Sequence, residues 1–305
     1  MASEITVKTK KRLLPLIITI SIALGLSFLG IISGFFTFST AFIPEGQGGF
    51  DPLIGLFNAL ILIVIAIFGA FMIYLLLKYK KENIIRYFFF VSFIIIGGFM
   101  LFLFGISILY MFYVFDIVYY IIMTILSFSI GILLTFMIFY KKLSNNILIK
   151  NTGLMIFGAL IGAFLGLVLP TWTSFLLLIG LSIYDVFAVF KGPIKKILEL
   201  EEKNNQNFLE IRNEIRNYEI GLGDLTFYSM LVCATLKIGF DTQFIRIWGP
   251  IAIFLPCLVS IIGILLGALI TFKLLEKKEM LPGLPISILL GIGLFGLVLL
   301  VFWVI

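Results

Sequence analysis

Residues 87–140 read YFFFVSFIIIGGFMLFLFGISILYMFYVFDIVYYIIMTILSFSIGILLTFMIFY, and Asp116 is the only charged side chain among them. A helix that crosses a membrane uses about 20 mainly apolar residues, so this stretch is too long for one helix. It therefore predicts two transmembrane helices, 87–110 and 114–140, separated by a short stretch around Tyr113. A chain that contains such a stretch is expected to be an all-α membrane protein.

The same criterion finds seven further spans, which makes nine transmembrane helices in a single membrane domain, residues 1–305. The composition agrees, because 62% of the residues are hydrophobic and only 12% are charged, against roughly 45–50% and about 25% in soluble proteins. We divide the domain into a six-helix part, a loop and a three-helix part, at 1–190, 191–220 and 221–305. The predicted spans are 13–37, 53–77, 87–110, 114–140, 152–170, 173–190, 221–237, 250–272 and 282–304.

The basic residues predict the orientation of these spans. All but two of the 22 Lys and Arg residues fall in the loops of one side, and only Lys237 and Arg246 fall on the other. By the positive-inside rule the N-terminus is expected in the cytoplasm and the C-terminus outside. We expect a multi-pass protein of the cell membrane, with a short amphipathic helix on the membrane surface within 191–220.

Residue types that are missing exclude several chemistries. The chain has no histidine, and its two cysteines, Cys233 and Cys257, lie in apolar stretches. A zinc protease and a conventional serine protease both depend on histidine, and a serine–lysine pair would need a lysine inside the membrane, whereas the lysines cluster at helix ends. We expect no metal and no cofactor. Nucleic acid is not an expected partner, because no basic stripe with interleaved aromatic residues lies outside the membrane-flanking loops.

Three carboxylates fall within predicted spans, where a charged side chain costs roughly 2.5–3.5 kcal/mol and therefore indicates function. Asp116 lies near the end of its helix among tyrosines and is interpreted as interfacial or structural. Asp185 precedes Lys191 by six residues and Asp224 follows Glu219 by five, or about 9 Å and about 7 Å along a helix. The sixth and seventh helices are antiparallel, so the sequence places these two carboxylates at matching depth.

Two aspartates that meet in a low-dielectric site share one proton, because neighbouring like charges cannot both ionise. Such a pair can hydrolyse an amide without histidine or metal. One carboxylate activates water while the other donates a proton to the peptide carbonyl. Which aspartate does which is not assignable from sequence. The alternative is that both are structural and are satisfied by hydroxyl or backbone groups.

Glycines and prolines flank the candidate pair. Gly221 and Gly223 stand just before Asp224, where they are expected to permit unwound geometry and close approach of another backbone. Pro282 and Pro285 bracket Gly283 and Leu284 at the start of the ninth helix, where irregular backbone lining a cavity is expected.

These segments carry a family resemblance. Tyr184-Asp185, Gly221-Leu222-Gly223-Asp224 and Pro282-Gly283-Leu284-Pro285 resemble, in this order, the YD, GxGD and PAL motifs of presenilins and signal peptide peptidases, which are intramembrane aspartyl proteases. The chain looks most like an archaeal-type presenilin homologue. One departure is Gly283, where the motif has alanine, and a looser fit around the substrate is expected there.

The resemblance implies a function and a set of site residues. Asp185 and Asp224 would be catalytic, and the substrates would be transmembrane proteins or peptides, of the single-span kind with a cytoplasmic C-terminus. A homo-oligomer stays open, membrane lipid is the expected surrounding, and no obligatory partner is evident. The residues that would position substrate are Tyr184, Gly221, Leu222, Gly223, Pro282, Gly283 and Leu284.

Two other functions remain open at this stage. The aspartates could relay protons or ions in a coupled transporter with broken helices, although the spans show no internal repeat. The chain could also be a scaffold that binds partner helices through Gly158, Gly162 and Gly166, which have GxxxG spacing. Internal packing is the commoner use of such a run.

Overall fold

A computed structural model describes residues 2–37, 52–79, 82–114, 116–140, 146–190, 221–240, 249, 251–275 and 282–304. Within these ranges the chain forms nine α-helices and one short 3-10 helix, Phe35–Thr37, and contains no strand. The helices are α1 Ala2–Ser33, α2 Pro52–Lys78, α3 Glu82–Met111, α4 Ile117–Phe139, α5 Ile147–Val168, α6 Thr171–Phe190, α7 Leu222–Gly239, α8 Ile251–Leu275 and α9 Leu284–Val304.

The predicted all-helical, multi-pass architecture is confirmed, and each predicted span corresponds to one helix in the same order. Within the described ranges, eight helices are long and apolar enough to cross a membrane, and α7 is the exception. Nearly every residue of α7 from Leu225 onward is buried inside the protein. A helix surrounded by protein does not need a continuous apolar surface, so α7 can carry Asp224 and Lys237.

Local signals set the helix ends. The break between α3 and α4 falls at Tyr113, as predicted, and this residue has a left-handed φ of 55°. Asp116 is the N-cap of α4, where its carboxylate accepts a hydrogen bond from the Val118 N–H at 3.0 Å, so it has the structural role assigned to it. Asn146 caps α5 in the same way, and therefore α5 begins at Ile147 rather than at the predicted residue 152.

The central helix of the bundle is α7, which contacts α1, α5, α6, α8 and α9. Its closest approach is to α5, through Gly158, Gly162 and Gly166. A Cβ atom at Gly158 would lie 2.8 Å from Cβ of Leu225, and one at Gly162 would overlap the backbone oxygen of Thr226. The GxxxG run is thus used for internal packing, as small residues often are in membranes, and the scaffold reading loses its candidate surface.

The outer helices expose large apolar side chains. Phe68 of α2 is 63% exposed and Ile125 of α4 is 64% exposed. Side chains of this kind face hydrocarbon at no cost, whereas backbone polar groups must bond within the helices. Together with the eight candidate spans, this surface identifies an integral multi-pass membrane protein. The orientation of the termini stays a prediction, and the predicted surface helix within 191–220 lies outside the described residues.

Candidate active site

Asp185 and Asp224 lie at the same end of two neighbouring antiparallel helices. Asp185 is on α6, five residues before the last helical residue, Phe190, and Asp224 is the third residue of α7. Both side chains are half-buried. The depth matching inferred from the loops thus corresponds to the helix bounds of the folded chain.

The two carboxyl groups converge on the residues that begin α9. Pro282 and Gly283 precede the helix, and Leu284 is its first residue. The backbone N–H of Leu284 donates a hydrogen bond of 3.2 Å to Oδ2 of Asp185. At the preceding residue, a Cβ atom built on Gly283 would lie only 2.7 Å from Oδ2 of Asp224. Consecutive Cα atoms are 3.8 Å apart, so the structure brings both aspartates to one short segment of backbone.

Tyr228, a third side chain that the sequence interpretation did not select, also contacts the segment that begins α9. Tyr228 lies one turn after Asp224 on α7, is 4% exposed, and donates a hydrogen bond from its hydroxyl to the Gly283 carbonyl oxygen at 2.9 Å. Residues four apart share a helix face, and this spacing from Asp224 is the signal that could have identified it. Buried tyrosine hydroxyls usually find a hydrogen-bond partner, but the sequence does not reveal which one.

The close backbone approach expected at Gly221 and Gly223 is not found among the described residues. Gly221 is the N-cap of α7 with extended backbone, and Gly223 already lies within the helix. A Cβ atom at Gly223 would meet only the Phe227 ring, at 3.8 Å, and one at Gly221 would meet only the Asp224 carboxylate, at 3.5 Å. Both glycines are exposed, and no described residue crowds them beyond these two contacts, so the close approach expected there stays a prediction.

The remaining predicted positions differ in their relation to the two carboxylates. Pro282 is buried and directly precedes the contact segment, while the Leu284 side chain packs into the core. Leu222 is half-buried against a second apolar cluster. Tyr184 is the neighbour of Asp185, and within the described part of the chain it has no hydrogen bond to Asp224 or to residues 282–285.

The arrangement places two carboxyl groups beside the backbone that begins α9, and its surroundings are partly exposed. Near Asp185, Phe187 on α6 is 56% exposed, and near Asp224 the two glycines are exposed. A group of three or more metal-binding side chains does not occur among the described residues. The two carboxyl groups can transfer protons and form hydrogen bonds.

The sequence model of the Presenilin family matches residues 44–212. This range is more than half of the chain and includes Asp185, but it ends before Asp224 and before the segment that starts α9.

Proteins similar to this chain include two curated relatives and a solved presenilin-family structure. Presenilin-B of Dictyostelium discoideum is 36% identical over 41% of this chain and 25% of its own length, and a presenilin-like protein of Arabidopsis thaliana is 25% identical over 57% and 60%. The chain thus spans between a quarter and three fifths of these relatives. A solved presenilin-family intramembrane aspartate protease superimposes with a TM-score of 0.57 at 18% identity, covering 93% of this chain and 99% of that one, which indicates a shared fold. With the family match extending over more than half of its length, the chain belongs to the presenilin family.

Proposed function

We propose that this chain is an intramembrane aspartyl endopeptidase in which Asp185 and Asp224 together hydrolyse a peptide bond. The observation that carries the proposal is the convergence of the two carboxyl groups on Gly283 and Leu284, through a hydrogen bond of 3.2 Å on one side and a close contact on the other. Membership of the presenilin family supports the same reaction class.

The mechanism follows from two carboxyl groups that hold one proton between them. The ionised carboxylate takes a proton from water as the water oxygen attacks the peptide carbonyl. The protonated carboxyl group donates to the carbonyl oxygen, and the tetrahedral intermediate collapses when the leaving nitrogen receives a proton. The two steps belong to the pair, since coupled groups titrate together.

The substrates would be transmembrane segments of membrane proteins. A helical segment uses its carbonyls in internal hydrogen bonds, so it must unwind before water can attack. An extended segment would fit beside Gly221 and Gly223, which are exposed and are not crowded by any described residue. If the N-terminus is cytoplasmic, as the basic residues predict, the cut falls near the cytoplasmic end of the substrate span.

The test compares purified wild-type protein with Asp185→Asn and Asp224→Asn in detergent on a generic single-span substrate. Asparagine keeps the shape of the side chain and removes its acid, so each variant should lose at least about 100-fold in rate. A transition-state mimic with a central hydroxyl should inhibit the wild type. Asp116→Asn is the matched control, because it changes an exposed carboxylate at a helix N-cap, where asparagine caps equally well.

Cleavage that persists in Asp185→Asn or in Asp224→Asn would overturn the proposal. Absence of cleavage by a wild-type protein that unfolds cooperatively, across several substrates, would do the same. In that case proton flux into liposomes that depends on Asp185 or Asp224 would favour the transporter.

A further inference from the structure

Tyr228 holds the segment that the two aspartates contact. Its hydroxyl donates to the Gly283 carbonyl at 2.9 Å, and its ring is packed in the core beside α9. Gly283 stands at the N-cap of α9, where the carbonyl also accepts the first hydrogen bond of the helix. A carbonyl oxygen accepts two hydrogen bonds, so Tyr228 adds a lateral bond that ties the start of α9 to α7.

The carbonyl that Tyr228 binds and the N–H that Asp185 binds belong to the same peptide group. The Gly283 C=O and the Leu284 N–H lie in one rigid plane because the peptide bond is planar. Tyr228 on α7 therefore holds one end of this plane, and Asp185 on α6 accepts from the other end at 3.2 Å. A rotation that released the carbonyl from Tyr228 would also turn the N–H away from Asp185.

Nothing in the covalent structure of Gly283 restrains this plane. Glycine lacks the side chain that limits backbone rotation, and the neighbouring Pro282 and Pro285 have no N–H with which to anchor the segment. The contact of the Asp224 carboxylate with Gly283 also depends on where the segment sits. The orientation is thus set by hydrogen bonds, and Tyr228 supplies the one from the helix that carries Asp224.

We propose that Tyr228 is a positioning residue of the active site, which fixes the Gly283–Leu284 peptide between Asp185 and Asp224 through its hydroxyl. The inference rests on the proposed function and deepens it. Tyr228 does not touch the reacting atoms. It fixes the position of the Gly283–Leu284 backbone relative to the two carboxyl groups.

The test removes the hydroxyl and then restores a donor. Tyr228→Phe retains the ring, and replacement of Tyr228 by 4-aminophenylalanine returns an N–H donor at the same position. Thr235→Val is the matched control, because it removes another buried hydroxyl of α7, one that donates to the Leu231 and Val232 carbonyls of its own helix. The thermal midpoint, kcat, KM and affinity for a transition-state mimic are measured for each.

A displacement of a fraction of an ångström at a catalytic site reduces the rate by roughly tenfold. Tyr228→Phe should therefore lower kcat by about tenfold and lower the affinity for the transition-state mimic by about the same factor, with KM changed less than about twofold. The 4-aminophenylalanine protein should regain most of kcat, and Thr235→Val should keep it. A merely structural role would lower the thermal midpoint in both hydroxyl deletions without this separation of kcat from KM.

Three results would overturn the inference. Folded Tyr228→Phe with unchanged kcat would show that the hydroxyl is not needed, and a change in KM alone would assign Tyr228 to substrate docking. If Tyr228→Phe does not fold, a folded 4-aminophenylalanine protein with low kcat would refute the donor role. No cleavage by the wild type would instead refute the proposed function, and the role of Tyr228 with it.

Discussion

Gly283→Ala tests how tightly Asp224 fits against the start of α9. The added Cβ would lie 2.7 Å from Oδ2, 3.2 Å from Cγ and 3.3 Å from Oδ1 of Asp224. Ordinary van der Waals contact begins at 3.4 Å, so the nearest oxygen must retreat by about 0.7 Å, the difference between 3.4 and 2.7 Å. The carboxylate is the end of a side chain, and it can make this movement without unfolding the site.

The expected cost follows from the size of this movement. A misplacement of about 1 Å at a catalytic group reduces the rate by roughly 100-fold, so Gly283→Ala should lower kcat by about 10- to 100-fold. This corresponds to about 1.4–2.7 kcal/mol of activation free energy. The thermal midpoint should change little, because the change displaces one side chain at a half-exposed position.

The assay measures kcat on a single-span substrate for wild type, Gly283→Ala and Gly293→Ala. Gly293 of α9 is the control, since a Cβ there meets no described residue within 4 Å. The PAL motif that this segment resembles carries alanine at the position of Gly283. A kcat of Gly283→Ala equal to or higher than that of the wild type would show that Asp224 moves away without loss of activity, and this result would refute the steric argument.

Three further substitutions test the packing around the site. Gly162→Ala places a Cβ against the backbone of α7 and should destabilise the protein by about 1–3 kcal/mol, which lowers the thermal midpoint. Gly25→Ala on α1, where a Cβ would meet no described residue within 4 Å, should leave the midpoint unchanged. Equal midpoints in the two variants would contradict the packing argument. Lys237→Met removes an ammonium group that donates to two carbonyls at the end of α5, at 2.9 and 3.2 Å, and should cost about 1–3 kcal/mol in the free energy of unfolding; an unchanged denaturation curve would argue against this bond. Gly223→Ala should fold normally, and it should raise KM with little change in kcat if substrate occupies the space beside it; unchanged KM would mean that substrate lies elsewhere.

The helices and the depth of the two aspartates could be predicted because they depend on local properties of the sequence. Apolar length defines a span, and the break at Tyr113 followed from the length of one uninterrupted stretch. The ends were less accurate where a single polar side chain decided them, as Asn146 does for α5. The unusual composition of α7 also became clear only with the fold, since its burial comes from five other helices.

The contacts within the candidate site could not be predicted in the same way. The sequence identified Gly221, Gly223 and Gly283 as special, but it assigned the close approach to the first two, whereas among the described residues the structure has it at Gly283. Such contacts depend on how α7 and α9 pack, and this information is spread over many residues. Tyr228 was missed for the same reason, because its partner lies 55 residues away in the chain.

The contact between α5 and α7 has a consequence for chain connectivity. In the sequence, α5 comes before residues 191–220 and α7 comes after them. The glycine face and the Lys237 ammonium group join the two helices by noncovalent contacts. The two aspartates are thus held by an association between two polypeptide parts that happen to be continuous. A single break in the backbone between residues 190 and 221 would cut none of these contacts, whereas a bulky residue on the α5 face is expected to weaken the association even in an unbroken chain.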